Sequence, residues 1–200
     1  MKLGIFGYGG HAREVYWSLS SMERLGCKFF LDDQYYQEGK NILPISEFDP
    51  NEYRMIVAVA DPKSRRDIVE SLPSETKYFT FIHPTAQVLD SDVMIGEGSF
   101  IGINCIITTN ITIGKHSILN RGNQIGHDTK IGDYFSAMPG AIVSGNVSIG
   151  DNCYMGTNSS IIEKLSVIDN VKIGANAAVV KNIKESGTYV GTPAKKLNNQ

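Results

Sequence analysis

Gln124-Ile125-Gly126-His127-Asp128-Thr129-Lys130-Ile131-Gly132-Asp133 holds an apolar residue followed by glycine, and then the same pair again six residues later. Stepping outward in sixes from Ile125 keeps landing on apolar side chains. Toward the N-terminus these are Leu119, Ile113, Ile107, Ile101 and Ile95; toward the C-terminus they are Ile131, Ala137, Val143, Ile149, Met155, Ile161, Val167, Ile173 and Val179. At the roughly 45–50% apolar content of an average protein, fifteen hits at fifteen positions arise by chance about once in 10^5. A helical period of 3.6 does not generate this spacing. A period of six means a short strand, a turn and another short strand, each turning one apolar residue toward a common axis, which is the hexapeptide form of a parallel β-helix. Three hexapeptides close one triangular coil, so residues 95–184 predict about five coils. Asn, Asp, Ser and Gly fill the turns because they tolerate unusual backbone angles. A one-residue slip would expose the whole apolar column, so the register is fixed.

The first half has another rhythm. Residues 2–6 form an apolar run ended by Gly7-Tyr8-Gly9-Gly10, after which Val15, Leu19, Met22 and Leu25 recur at helical spacing, predicting a strand, a glycine loop and a helix over 11–25. Further strands are predicted at 27–31, closed by Asp32-Asp33, at 55–60 and at 77–81, with a helix over 62–72. The unbroken apolar character of 55–60 suits a buried parallel strand. His83-Pro84 reads as a joint, dividing the chain into an α/β, Rossmann-like half domain (1–82) and a β-helix with a C-terminal tail (83–200).

The 200 residues carry a net charge of -2, which leaves no global field to attract a nucleic acid or an anionic membrane, so neither is an expected partner. There is no run of eighteen apolar residues and no leader pattern at Met1-Lys2-Leu3, and a cytoplasmic protein is expected. Cys27, Cys105 and Cys153 are distant and odd in number, which argues against disulfides and a cysteine metal site. Cys105 and Cys153 fall on the inward column, where a thiol packs and is not a nucleophile.

Gly7-Tyr8-Gly9-Gly10-His11-Ala12 fits G-x-G-x-x-A after a strand and before a helix, with Asp32 at the end of the next strand. What it supports physically is a tight turn and a helix N-terminus that favours a phosphate. A turn that only packs helix on sheet, and a dinucleotide site lacking its second half, are the other readings. His127 and Asp128 fall at an outward-facing corner. The prism is filled with Ile and Val, so a site must form between a coil exterior and something else, most naturally a neighbouring subunit. A neutral imidazole there suits proton abstraction from an amine or hydroxyl, although for an isolated histidine a plain polar corner residue is the commoner reading. His116 reads as surface and His83 as structural; with no third ligand at recognisable spacing, no metal is expected.

Together, Gly7 to His11, Asp32-Asp33, the hexapeptide array, Gly126-His127-Asp128 and the ending Gly191-Thr192-Pro193-Ala194-Lys195 resemble the bacterial sugar acetyltransferases grouped with NeuD and PglD. The resemblance covers nearly the whole chain. It implies a left-handed β-helix, acetyl transfer from acetyl-CoA to the amino group of a nucleotide-linked deoxy-amino sugar for surface glycans such as lipopolysaccharide or capsule, and a homotrimer with sites between neighbouring β-helices. His127 matches the family's general base and Asp128 the acid beside it, commonly Glu. Asn120 matches a polar residue that helps place the reacting groups, and Gly145 a backbone N–H for the oxyanion. Gly9, Gly10 and His11 match the loop for the nucleotide-sugar phosphates, and Asp32 and Asp33 the acids for the nucleoside. Thr157 and Ala175 match backbone contacts to the cofactor, and Ser136 stands where members often carry a His touching acetyl-CoA. Direct attack without an acyl-enzyme follows. Sugar O-acetylation, as in the sialic acid enzymes, and a nucleotide-binding regulatory module are the alternatives.

Overall fold

The computed structural model describes residues 1–39 and 41–197, and the chain divides into two compact units, Met1–Thr80 and Phe81–Gln200. The first contains β1 (Lys2–Phe6), α1 (Gly10–Ser18), α2 (Ser21–Arg24), β2 (Lys28–Leu31), β3 (Ile42–Pro44), β4 (Tyr53–Val57), α3 (Pro62–Ser71) and β5 (Lys77–Tyr78). Its sheet is parallel with the order β3-β2-β1-β4-β5. The chain first builds away from β1 on one side and then returns to pair on the other, so the topological switch lies at the C-terminal ends of β1 and β4, next to Gly7 and its loop. Phe30, Tyr53, Met55, Val57 and Leu72 form one buried cluster, with the Phe30 and Tyr53 rings edge to face at 5.1 Å.

The helix expected over 11–25 is two helices. Ser20 interrupts it: the Ser20 hydroxyl accepts from Glu23 N–H at 3.2 Å and the Glu23 carboxylate accepts from Ser20 N–H at 2.8 Å, a capping box that restarts the chain as α2. Met22 and Leu25, which helical spacing groups with the buried Val15 and Leu19, are each 77% exposed. β3 escaped the sequence reading because three residues ending in Pro44 carry too short an alternation to register.

The second unit is a left-handed parallel β-helix with three faces. Face 1 begins with Phe81–Ile82, Phe100–Ile101, Ile118–Leu119 and Ser136–Ala137; face 2 with Gln87–Val88, Ile106–Ile107, Gln124–Ile125 and Ile142–Val143; face 3 with Met94–Ile95, Thr112–Ile113 and Lys130–Ile131. From Ile101 to Val179, none of the fourteen residues at six-residue steps is more than 4% exposed. Among the described residues face 2 has six strands, one coil more than the sequence predicts. The first coil was hidden because it holds an extra residue: Val88 pairs with Ile107, nineteen places on, whereas Ile95 pairs with Ile113, eighteen places on.

From Ile95 to Ile173 the corners are made the same way. The residue three places after the inward side chain has a left-handed backbone, as at Asn104 (φ 55°), Asn110 (φ 52°), Asp128 (φ 58°), Asn146 (φ 58°) and Asn158 (φ 54°), which is why Asn, Asp and Gly recur there. His116 occupies such a corner (φ 53°), but it is not a surface residue. It is 4% exposed and stacks on Tyr134 of the next coil, ring centroids 5.2 Å apart. After face 3 the corners are tied by aspartates: Asp133 accepts from Lys115 N–H at 2.7 Å, Asp151 from Asp133 N–H at 2.8 Å and Asp169 from Asp151 N–H at 2.9 Å. The three thiols are buried, and burial pushes Cys27 up to about 12 and Cys153 to about 11, so none is a thiolate near neutral pH.

Candidate active site

The corner after face 2 brings His127, Asp128 and Gly145 together. Adjacent residues in a strand point to opposite sides, but the left-handed backbone at Asp128 folds its carboxylate back beside its neighbour, and His127 Nδ1 lies 2.7 Å from Asp128 Oδ2. The other carboxylate oxygen, Oδ1, accepts from the Asn110 side-chain amide at 2.6 Å. Hydrogen bonds from His127 and then Asn110 hold the Asp128 carboxyl below the usual carboxylate range. An ionised Asp128 keeps the proton of a neutral imidazole on Nδ1, leaving the Nε2 lone pair outward. His127 and Asp128 side chains are 59% and 43% exposed, so an acceptor can reach them.

Gly145 sits one coil beyond His127. A Cβ placed on it would fall 2.6 Å from His127 Nε2, so the imidazole lies directly against the Gly145 backbone. Gly126 is needed for a related reason: its Cβ would be 2.6 Å from Gly145 N. Neither glycine is there for a positive φ. Both keep side chains out of the space between coils where the ring and the Gly145 peptide meet.

The other predicted residues lie elsewhere on the prism. Asn120 is at the corner after face 1, 9% exposed, its side-chain oxygen accepting from Arg121 N–H at 2.7 Å. Thr157 and Ala175 stack at that same corner on successive later coils, both exposed, with Asn176 N–H donating to Thr157 O at 2.9 Å. Ser136 is on face 1 and fully buried. A single chain therefore gathers His127, Asp128 and Gly145 at one corner and Asn120, Thr157 and Ala175 at another.

In the first unit, Gly7 (φ 107°) makes the turn out of β1, and Gly9 is the extended cap of α1 with no side-chain cap. A Cβ on Gly9 or Gly10 would meet nothing within 4 Å, so what these glycines preserve is open space over the first turn of the helix. Asp32 Oδ1 accepts from Gln34 N–H at 3.2 Å and Asp33 Oδ1 from Ser46 N–H at 3.1 Å, fixing the loops beyond β2 and β3. Tyr8, Tyr16, Trp17 and Phe29 line a pocket on this side with Arg13 and Asn41; sequence reasoning missed it because its members come from three separate segments.

His11 points inward. Its Nδ1 is 3.6 Å from Glu14 Oε2, and burial, assisted by the positive charge of Arg65 and opposed by Glu14, pushes its pKa below the ordinary 6.5. Arg65 is itself fully buried and donates to the carbonyls of Val59 at 2.6 Å and Ala60 at 3.3 Å, clamping the loop after β4. A neutral folded His11 and an unfolded one titrating near 6.5 make stability full above 6.5 and falling as pH drops from there toward the lower folded value. Thermal denaturation between pH 7.5 and 5.5 is expected to show a smaller acid-side decline for His11→Gln than for the native sequence. Parallel curves would show that His11 contributes nothing to acid sensitivity.

Residues 2–72 match the PglD N-terminal domain, residues 128–163 the bacterial transferase hexapeptide (six repeats), and residues 92–122 and 146–181 the hexapeptide repeat of succinyl-transferase. A GDP-perosamine N-acetyltransferase of Escherichia coli O157:H7 is 32% identical over 152 residues, 69% of this chain and 67% of that protein. The acetyltransferase domain of PglB from Neisseria gonorrhoeae FA1090, solved with acetyl coenzyme A, is 25% identical with a TM-score of 0.71, covering 98% of both chains. A variant of perosamine N-acetyltransferase from Caulobacter crescentus, solved with CoA and GDP-perosamine, shares the fold at a TM-score of 0.86 and 22% identity over 100% of this chain and 98% of that one. With its PglD N-terminal domain, its hexapeptide β-helix and a relative of this identity over two thirds of both lengths, the chain belongs to the NeuD/PglD-type sugar acetyltransferases.

Proposed function

We propose that this chain transfers the acetyl group of acetyl-CoA to the amino group of a nucleotide-linked deoxy-amino sugar. The observation that carries the reading is the His127 imidazole, oriented through Nδ1 by Asp128 and held with Nε2 against the Gly145 backbone on the outside of the prism. The E. coli relative is named for N-acetylation of GDP-perosamine, an amino sugar, which favours an amide product over an ester.

Acetyl-CoA supplies the thioester carbon. As the sugar nitrogen attacks it, the new C–N bond forms and Nε2 of His127 takes the ammonium proton; Asp128 offsets the imidazolium charge. The Gly145 N–H faces the oxygen that becomes negative. When the C–S bond breaks, the imidazolium returns the proton to the departing thiolate, and His127 is again neutral. The exposed Thr157–Ala175 corner offers backbone groups along which coenzyme A is bound; Ser136, fully buried, is given no part in this. Gly9 and Gly10, with open space above them, take the phosphates, and Asp32 and Asp33 the nucleoside. His11 shapes that loop from within, since its neutral, inward ring is poorly suited to hold an anion.

Asn120 lies at a different corner from His127, so a complete site needs a second copy, and a homotrimer that sets one prism's corner against the next prism's face supplies it. Acetyl-CoA and nucleotide sugars are substrates of the cytoplasm, and the product suits a surface glycan such as lipopolysaccharide or capsule. Among the described residues no helix is long and apolar enough to cross a membrane.

The test is a panel of GDP-, UDP- and dTDP-linked amino sugars with acetyl-CoA, read as free-thiol release and product mass. At least one acceptor is expected to gain an acetyl group that resists hydroxylamine, as an amide does. A hydroxylamine-labile ester would instead establish O-acetylation, and no turnover with any amino sugar would overturn the reading.

A further inference from the structure

We infer that Asn110 is a positioning residue for acetyl transfer, fixing the Asp128 carboxylate that in turn orients His127. The inference rests on the reading of His127 as the base. The pair it serves is exposed, and one hydrogen bond between two exposed side chains holds geometry weakly, because each retains rotamer freedom and water competes for both. Asp128 escapes this by having both oxygens engaged, Oδ2 by His127 Nδ1 at 2.7 Å and Oδ1 by Asn110 Nδ2 at 2.6 Å. Two fixed points define the plane of a carboxylate where one leaves it to rotate.

Asn110 is itself anchored. It sits one coil before Asp128 in the same left-handed corner column, with φ 52°, and its backbone N–H donates to Asp90 Oδ2 at 3.3 Å. Asp90, Asn110, Asp128 and His127 thus form a row climbing three coils, each holding the next. The amide donates without carrying charge, so it restrains the carboxylate without competing with the imidazole for its negative charge. In the same corner column, Asp90 precedes Asn110 by one coil, and Glu163 and Lys164 follow Gly145 and Asn146 by one coil, with Lys164 N–H donating to the Gly145 carbonyl at 3.1 Å.

Two substitutions keep the left-handed backbone and remove the amide differently. Asn110→Gly deletes the donor, and Asn110→Asp places a second carboxylate against the first. For Asn110→Gly we expect kcat to fall about 10-fold, the scale of one lost hydrogen bond to a charged group, with KM for acetyl-CoA unchanged. Nitrogen NMR of the full-length protein should show less of the Nδ1–H tautomer of His127. Asn110→Asp carries a signature that a merely structural role does not. Once ionised, the second carboxylate repels the first and adds negative charge beside the imidazole, which favours the imidazolium, so the acid limb of the activity profile moves to higher pH than in the native enzyme. The inference is overturned if Asn110→Gly retains native kcat and tautomer balance, or if Asn110→Asp shows the native pH profile. The tautomer measurement needs no turnover, so it judges the Asn110 link separately from the assignment of the base, which His127→Ala judges.

Discussion

His127→Ala is expected to lower kcat by about 10^2- to 10^4-fold, the usual range for a positioned general base, while binding of acetyl-CoA and the oligomeric mass stay as they were. The expectation follows from where the ring is. It projects from a corner whose fold is set by the backbone and by the inward Ile125 and Ile131, 1% and 3% exposed, and the imidazole is more than half exposed. Removing it leaves no cavity in the core and no coil-to-coil backbone bond broken, since Asn146 N–H donates to the His127 carbonyl at 2.8 Å whatever the side chain. What disappears is the acceptor at Nε2. An amine that must shed its proton to water reacts more slowly, and the residual rate reports juxtaposition of the substrates together with the oxyanion donor. The measurements are steady-state kinetics by thiol release, calorimetric titration with acetyl-CoA and light scattering. Near-native kcat in this variant would remove His127 from the mechanism.

How much of this was legible in the sequence depends on which force set each feature. The β-helix was legible because burial repeats it at every coil: one misplaced residue would expose a column running from Ile101 to Val179, so the six-residue period is written fourteen times over. The end of that column was not legible, because a single extra residue between Val88 and Ile95 breaks the period without breaking the pairing. The glycine loop and β1 were readable for a similar reason, whereas the break at Ser20 depends on two reciprocal hydrogen bonds and outweighs an apolar spacing that looked continuous to Leu25. His127 and Asp128 stood out as neighbours at a corner. Asn110 did not, because nothing in a linear reading favours a partner eighteen residues back until the coil length is fixed and the columns are drawn; the recurrence of Asn at left-handed corners disguised it as one more turn residue. The burial of His116 was hidden for the converse reason, since its cover comes from Tyr134, also eighteen residues away.

Gly145→Ala is the second large effect expected, about 10^2-fold in kcat, with little change in melting temperature. The backbone conformation itself accepts a methyl: Gly145 has no left-handed φ, so alanine adopts it without strain. The added methyl meets the imidazole, 2.6 Å from Nε2, 2.7 Å from Cε1 and 3.0 Å from Cδ2, closer than unbonded atoms approach. The exposed ring is what yields, and a displacement that relieves this contact carries Nδ1 away from Asp128; misplacement by about 1 Å is enough for a loss of this size. Gly126→Ala is the control, because its methyl would press on Gly145 N, part of the coil itself. That variant should lose stability as well as activity. A double variant decides whether Gly145 serves only as clearance for the ring. If it does, Gly145→Ala adds nothing once His127 is alanine, since the atoms in collision are gone. If its N–H also holds the developing oxyanion in a geometry the methyl disturbs, the double variant falls below His127→Ala alone. Gly145→Ala with native kcat would contradict both roles, because it would mean that the ring needs neither its place against this peptide nor its bond to Asp128.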